Sequence, residues 1–144
     1  MRKLLTTAFI VIFVVASSFA SDVNKVNASI NFNYQFRKAA NISWTTHRDF
    51  LKVDFTLNNS KMEAFYNFDG EFIGSSIAID IDELPVKAKR TFARNFEEYT
   101  VKDVIRFDGA EEGAYFISAE NEIGSVIIKV DDFNKLSVFK RDKK

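Results

Sequence analysis

Residues 53–69 read VDFTLNNSKMEAFYNFD and decide the fold, because their pattern returns 62 positions later as YFISAENEIGSVIIKVD at residues 115–131. Aligned without a gap, the two stretches place apolar residues opposite apolar residues, as in Phe55 opposite Ile117. Two polar residues recur unchanged, Asn59 as Asn121 and Asp69 as Asp131. Apolar and polar residues that recur at matching positions indicate one supersecondary unit that occurs twice in the chain.

The first stretch has the alternation of a β-strand and the turns of a hairpin. Leu51, Val53, Phe55 and Leu57 alternate with polar residues, which is typical of a strand with one buried face. Asn58-Asn59 and Asp69-Gly70 both tolerate the positive φ that tight turns require. The sequence therefore predicts two strands here and a third that ends near Ile81.

Two amphipathic helices are predicted, one before each group of strands. The first has apolar residues at helical spacing and is capped by Ser29 or Asn31. The second is capped by Asp82 and tolerates Pro85 in its first turn. Its predicted buried stripe comprises Leu84, Ala88, Phe92, Phe96 and Tyr99.

The predicted fold class is α+β. Three strands follow the first helix and four follow the second, and short turns make neighbouring strands antiparallel. We expect two tandem helix-plus-antiparallel-meander repeats, about 29–81 and 82–141, which share one continuous sheet with both helices on one face. Each half is small enough to be marginal alone, so residues 21–144 are predicted to form a single domain.

Residues 1–20 have the pattern of a signal peptide. Arg2 and Lys3 precede an apolar run over 4–16, and the small residues of Ser18-Phe19-Ala20 predict cleavage before Ser21. A membrane anchor is the alternative, but this run is shorter than the ~20 residues that a spanning helix needs. We therefore expect a periplasmic or secreted protein without a membrane anchor after cleavage.

Composition excludes several classes of site and partner. The chain has no cysteine, so it has neither disulfides nor thiolate metal ligands. Its formal net charge is zero, and nucleic-acid binding usually demands a clearly basic face. A regular core is indicated by 16 phenylalanines with a single proline.

Several segments carry a resemblance to a known family. They are Trp44, the run KVDFTLNNSKMEAFYNFDGEFIG at 52–74, DELP at 82–85 and the strand 113–119. With them the chain resembles the PepSY-like, β-lactamase-inhibitor-like family of small exported bacterial proteins. The resemblance covers essentially all of 21–144 and implies an exported α+β protein whose open sheet face holds a partner. The namesake inhibitor uses such a surface to block an enzyme.

The sequence offers little material for catalysis or for a metal site. His47 is the only histidine, so neither a zinc site nor a Ser-His-Asp arrangement is indicated, and a solvated loop histidine is expected. Asp80 with Asp82 and Glu83, or Asp131 with Asp132, lack the alternating ligands of a calcium loop. We predict no enzyme activity and no cofactor.

The candidate site is the sheet face that points away from the helices. Alternation sends Val104 and Arg106 outward, together with the residues of the predicted site. The expected anchors and rim are Lys52, Asp54, Glu63, Phe65, Phe116, Ile127 and Lys129. Apolar anchors among opposed charges are typical of protein-binding surfaces.

The predicted function is a non-catalytic exported protein that binds an unknown protein or peptide, with enzyme inhibition as one form of that activity. The alternative is a calcium- or small-ligand-responsive periplasmic sensor. The oligomeric state stays open.

Overall fold

The computed structural model describes residues 25–144. The predicted signal peptide, residues 1–20, and its cleavage before Ser21 lie outside these described residues. Within them, no helix is both long enough and apolar enough to cross a membrane.

Eight strands and two α-helices make up the regular structure of residues 25–144. In chain order the elements are α1 (Lys25–Gln35), β1 (Ala40–Thr46), β2 (Leu51–Leu57), β3 (Ser60–Tyr66), β4 (Phe72–Ile79), a 3-10 turn (Ile81–Glu83), α2 (Val86–Asn95), β5 (Thr100–Gly109), β6 (Gly113–Glu120), β7 (Gly124–Val130) and β8 (Leu136–Lys143). The strands form one sheet in the order β1-β2-β3-β4-β5-β6-β7-β8, and the pairs within 40–77 and within 100–143 are antiparallel.

This architecture corrects the predicted fold class. Two tandem helix-plus-antiparallel-meander repeats of three and four strands were expected, and that prediction is wrong. The molecule is mostly an eight-stranded antiparallel sheet with two helices, and its strands follow one another in chain order. The description as α+β with two repeats therefore gives way to that of a large open antiparallel sheet.

The strand that the prediction missed is β1, and the reason is physical. Its apolar alternation is limited to Ala40, Ile42 and Trp44, and Ala40 also continues the helical spacing of Phe32 and Phe36. It is an edge strand held by its ladder with β2, whose register shifts between Ala40 and Ser43. So short an alternation, directly after a helical pattern, does not distinguish a strand from the end of the helix.

The described chain divides into two compact units, residues 25–77 and residues 78–144. In the first unit α1 packs on one face of β2 and β3. The core comprises Ala28, Phe32, Leu51, Val53, Phe55, Ala64 and Tyr66. Phe32 is packed edge-on by Trp44 and Phe55, at 5.7 and 5.0 Å between ring centroids. Burial of one such ring stabilises the fold by about 2–3 kcal/mol.

The second unit has its own apolar core. Its members come from α2, the turn before it and strands β5 to β7, namely Leu84, Ala88, Phe92, Val104, Ile117, Ala119, Val126, Ile128 and Val130. Helix α2 begins at Val86, directly after Pro85, because proline suits the first turn of a helix. The predicted cap at Asp82 is wrong, since Asp82 lies inside the 3-10 turn and Pro85 occupies the N-cap position of α2 without a side-chain hydrogen bond.

A bulge in β5 changes which side chains face the core. The pairing of β5 with β6 shifts between Val101 and Asp103. As a result Val104 joins the buried core and Arg106 stacks over the ring of Tyr115 at 4.7 Å, on the same side. The prediction that Val104 and Arg106 point away from the helices is therefore wrong, because an inserted residue inverts the alternation.

Candidate functional site

The candidate site of the first unit lies on the side of β2 and β3 that faces away from α1. We call this the far face. Leu51, Val53 and Phe55 of β2 pack toward α1, so Lys52 and Asp54 occupy the far face. Antiparallel pairing places Asp54 opposite Glu63 and Lys52 opposite Phe65. These four predicted site residues are therefore brought together on one surface.

Lys52, Asp54 and Glu63 form what we call the polar cluster. The Nζ atom of Lys52 lies 3.3 Å from Asp54 Oδ1 and 3.5 Å from Glu63 Oε1. The Lys52 side chain is only 9% exposed, whereas that of Asp54 is 37% exposed. One ammonium is thus shared by two carboxylates, and the cluster carries a net charge of −1 when both are ionised.

Ionisation of Glu63 is disfavoured by its surroundings. Burial raises the pKa of Glu63 above its usual range, and Asp54 raises it further, while Lys52 opposes both effects. Two like charges directly opposite each other on neighbouring strands destabilise the pair. Ionisation of Glu63 on the far face is therefore unfavourable. A further positive charge or hydrogen-bond donor would make its ionised form more stable.

Aromatic side chains border the polar cluster. The ring of His47 stacks on Phe50 at 4.6 Å, and Phe50 packs edge-on against Phe65 at 5.8 Å. Burial lowers the pKa of His47, with Lys52 adding to this effect and Asp54 opposing it. His47 lies in the loop between β1 and β2, as expected, but its ring is only partly exposed to solvent. Within residues 25–144, His47 Nε2 is buried without a hydrogen-bond partner.

His47 and Phe50 are not among the predicted site residues. The hairpin turn between β1 and β2 positions both, through a hydrogen bond from the His47 N–H to the Phe50 carbonyl at 2.9 Å. A phenylalanine directly before an alternating strand was the one available signal. It did not indicate which face the ring would cover.

The remaining predicted site residues lie in the second unit. Phe116 pairs with Lys129 across β6 and β7, and Ile127 pairs with Ser118. The Phe116 ring is packed edge-on by Phe139 at 5.4 Å. Lys129 Nζ reaches Glu112 Oε1 at 3.4 Å, so its charge is partly paired. All three residues point away from the core to which Ile117, Val126 and Ile128 belong.

The predicted anchors are more deeply buried than a free surface would leave them. Phe65, Phe116 and Ile127 are 4%, 3% and 8% exposed. A partner would therefore meet mainly the polar atoms around them and little of the apolar surface itself. In the first unit Asp54 and Glu63 are the accessible part of the predicted set.

No arrangement suited to a metal was found in the part of the chain that the structure describes. There, no group of three or more histidine, aspartate or glutamate side chains is placed to hold a metal ion. Asp131 instead serves its own turn, since its Oδ1 accepts the N–H groups of Phe133 and Lys135 at 2.8 and 2.9 Å.

A shallow depression of about 550 Å³ lies in the second unit, beside Glu98, Lys102 and Glu120. Lys102 Nζ approaches Glu120 Oε1 at 3.0 Å and lowers the pKa of that carboxyl. A general acid requires the opposite shift, so this depression does not present one at Glu120.

Solved structures share this fold over nearly the whole chain. A BLIP-like protein from Bacteroides fragilis NCTC 9343 superposes with a TM-score of 0.72 at 12% identity, over 89% of this chain and 91% of the other. A protein from Bacteroides eggerthii DSM 20697, described as periplasmic, gives 0.71 at 18% identity, over 88% and 90%. A DUF2874 family protein from Bacteroides ovatus ATCC 8483 gives 0.73 at 13% identity, over 85% and 89%.

These similarities bear on the fold alone, because every identity is low. They confirm the β-lactamase-inhibitor-like part of the resemblance as a BLIP-like fold. The PepSY-like part stays a prediction. No family model matches the chain, and no curated protein matches it.

Proposed function

We propose that this chain is a non-catalytic exported protein that binds a protein or peptide partner through the far face, with enzyme inhibition as one form of that binding. The polar cluster of Lys52, Asp54 and Glu63 is the observation that carries the proposal. Phe65 supports this cluster from within the sheet. In the second unit Lys129 is the proposed contact, and Phe116 and Ile127 support it from within the sheet.

The fold supports the export and binding parts of this proposal. One similar structure is described as periplasmic and another as BLIP-like. An antiparallel sheet can present part of one face to a partner, and Asp54 with Glu63 is the accessible part of the far face in the first unit. The signal peptide predicted over residues 1–20 leads to the same compartment.

The electrostatics of the polar cluster favour a basic contact group on the partner. Two carboxylates share one ammonium, so a lysine or arginine of the partner would neutralise the remaining negative charge. Burial of the cluster beneath a partner would strengthen this attraction, because the local dielectric falls as water leaves. Asp54, whose side chain is 37% exposed, is the group that such a residue meets first.

The test combines charge reversal with site-specific crosslinking in the native envelope. Photo-crosslinking residues at Ser43 and Thr45, both exposed beside the polar cluster, should capture a discrete partner. Asp54→Lys should abolish that capture, since it places a second positive charge where the partner's basic group belongs. The matched control is Glu97→Lys, which makes the same charge change at an exposed residue between α2 and β5.

The proposal fails if Asp54→Lys and Glu97→Lys capture partners equally well. It also fails if a crosslinker at Arg90, on the exposed side of α2, gives the same products as Ser43 and Thr45. Alanine at Phe65 or Phe116 is not a suitable probe, because both rings are buried and their loss would destabilise the fold.

A further inference from the structure

Helix α1 has an apolar stripe on the side that faces solvent. Its inner side buries Ala28 and Phe32 in the core of the first unit. Its outer side carries Val26, Ile30 and Tyr34, which are 67%, 60% and 73% exposed. A spacing of four residues aligns these three side chains along the helix. We call them the outer stripe.

Packing of a helix onto the sheet does not require such a stripe, as α2 demonstrates. Helix α2 buries Ala88 and Phe92 just as α1 buries Ala28 and Phe32. The positions two before and two after the buried phenylalanine are Ile30 and Tyr34 in α1. In α2 the same positions are Arg90 and Arg94, both exposed. Packing of α1 on the sheet therefore does not explain the apolar residues of its outer stripe.

The outer stripe is flanked by positive charge. Lys25, Arg37 and Lys38 are exposed, and the sequence has no aspartate or glutamate from residue 25 to residue 48. The Arg37 guanidinium lies 5.2 Å from the centre of the Tyr34 ring, at one end of the stripe. Arg37 therefore lies beside the stripe and Lys38 follows it in the chain, whereas Lys25, seven residues before Phe32, begins the helix on its inner side.

Negative groups near α1 come from the β3–β4 turn and lie to one side of the stripe. Asn31 Nδ2 donates to the Gly70 carbonyl at 2.6 Å, which brings this turn against the Asn31 side of the helix. Asp69 and Glu71 flank Gly70. The Glu71 carboxylate accepts a hydrogen bond from Asn67 at 2.7 Å, so it is engaged within its own turn.

We propose that the outer stripe of α1 docks reversibly on a membrane surface that carries anionic phospholipids. Val26 and Ile30 enter the boundary between headgroups and acyl chains, and Tyr34 lies at headgroup depth. Arg37 and Lys38 bind the phosphate groups. A helix lying in the membrane plane binds by this combination of apolar area and attraction to anionic lipid.

A second copy of the chain suits this surface less well than a lipid surface does. A symmetric contact through the same stripe would bring the positive charges of one copy near those of the other, with no aspartate or glutamate of residues 25–48 to offset them. Three side chains also bury on the order of 400 Å² at most, about half of the ~800 Å² per partner of a stable protein interface.

The test uses protein purified after export, with its mass measured so that the start of the chain is known. Vesicles containing phosphatidylglycerol should bind it, and vesicles of phosphatidylcholine alone should bind it roughly tenfold more weakly. Ile30→Gln with Tyr34→Gln should weaken binding to the anionic vesicles roughly tenfold or more. Val86→Gln, the matched change on α2, should leave binding unchanged.

A second pair of variants isolates the charge contribution. Arg37→Gln with Lys38→Gln should weaken binding roughly tenfold, whereas Arg90→Gln with Arg94→Gln removes the same charge from α2 and should have little effect. Circular dichroism should be unchanged in all four variants, since every substituted side chain is exposed.

Three results would overturn the proposal. The first is equal binding to anionic and neutral vesicles, or none to either. The second is equal loss in the α1 and α2 variants, which would indicate net charge alone. The third is a dimer, seen by sedimentation without lipid, that the Ile30 and Tyr34 changes dissociate, because the stripe would then belong to a second copy. None of these results bears on the far face.

Discussion

At the scale of single residues, the chemistry of the far face depends on where Glu63 holds its proton. Its carboxylate is opposite Asp54 and 3.5 Å from the ammonium of Lys52. Burial is the largest influence on its pKa and raises it, so the attraction of Lys52 only partly offsets desolvation. A partly buried ion pair of this kind contributes little to stability. The raised pKa of Glu63 instead marks the polar cluster as a candidate contact for a charged group of a partner.

The stability of the protein should depend on pH through Glu63 in a definite direction. The pKa of Glu63 is raised in the folded state above its ordinary value of 4.5, so folding favours the protonated form. Its stabilising contribution is complete below that ordinary value and is lost as the pH rises through the raised folded value. From pH 4 to pH 7, the unfolding free energy of the wild type should therefore fall relative to that of Glu63→Gln. Urea denaturation at both pH values measures this difference.

Glu120 provides a control with the opposite sign. Lys102 lowers the pKa of this exposed carboxyl, so its contribution is present at neutral pH and is lost on acidification. The wild type should thus gain stability relative to Glu120→Gln between pH 4 and pH 7. Trends of the same sign in both variants would contradict the assignment of a raised pKa to Glu63.

At the scale of elements, the β3–β4 turn fixes α1 to the sheet. Asn67 Oδ1 accepts the backbone N–H groups of Asp69 and Glu71 at 3.0 and 2.9 Å, and this shapes the turn. Gly70 then adopts a φ of +87°, and a Cβ there would lie 2.8 Å from the backbone nitrogen of Ala28. Contact this close between a turn and a helix backbone requires glycine.

Substitution of this glycine should destabilise the first unit. Gly70→Ala adds a methyl group that meets α1 and forces a left-handed backbone on alanine, at an expected cost of about 2–3 kcal/mol. Urea denaturation measures the change. Asn59→Gly, at a turn residue with a φ of +66°, should have the opposite sign and stabilise by a few tenths of a kcal/mol. If Gly70→Ala left the free energy of unfolding unchanged, the turn would be able to move away from α1 without loss of stability.

At the scale of the whole molecule, the two edges of the sheet are protected in different ways. Edge strand β1 carries no charged residue but is interrupted by a register shift next to Asn41, whose φ is +53°. Edge strand β8 is regular near its end and carries Lys140, Arg141 and Lys143. Positive charges along an exposed edge disfavour pairing with the edge of another molecule.

Removal of the charges from β8 should therefore promote self-association. Arg141→Thr with Lys143→Thr leaves β-forming side chains on an unprotected edge, and light scattering should rise with protein concentration. Lys87→Thr with Arg94→Thr removes the same charge from the exposed side of α2 and should not associate. If both variants associate equally, the loss of net charge is responsible and the edge has no special role.

Much of the fold could be predicted wherever alternation was strong. The alternation from Leu51 to Leu57 assigned β2 to the correct face, and the turn residues Asn59 and Gly70 were placed correctly. The edge strand β1 was missed because its short alternation begins at Ala40, which also fits the helical spacing before it, and the bulge near Lys102 reversed the predicted orientation of Val104. An inserted residue follows from packing and has no periodic trace in the sequence.

For the candidate site, the sequence predicted only which residues share one face of the sheet. Alternation placed Lys52, Asp54 and Glu63 together, and the structure adds the distances that make them a cluster. Alternation does not indicate what covers a side chain. For that reason Phe65 was expected to be an exposed anchor although it is buried, and the stacked ring of His47 was taken as solvated.

The packing of Trp44 has a spectroscopic consequence. It is the only tryptophan of the chain, and its indole lies 5.7 Å from the Phe32 ring and 5.9 Å from the Tyr66 ring. Intrinsic fluorescence excited at the red edge of its absorption band therefore observes residues 25–77 alone. A red shift of the emission maximum that precedes the loss of far-ultraviolet dichroism would reveal melting of that half before the other, without any introduced label.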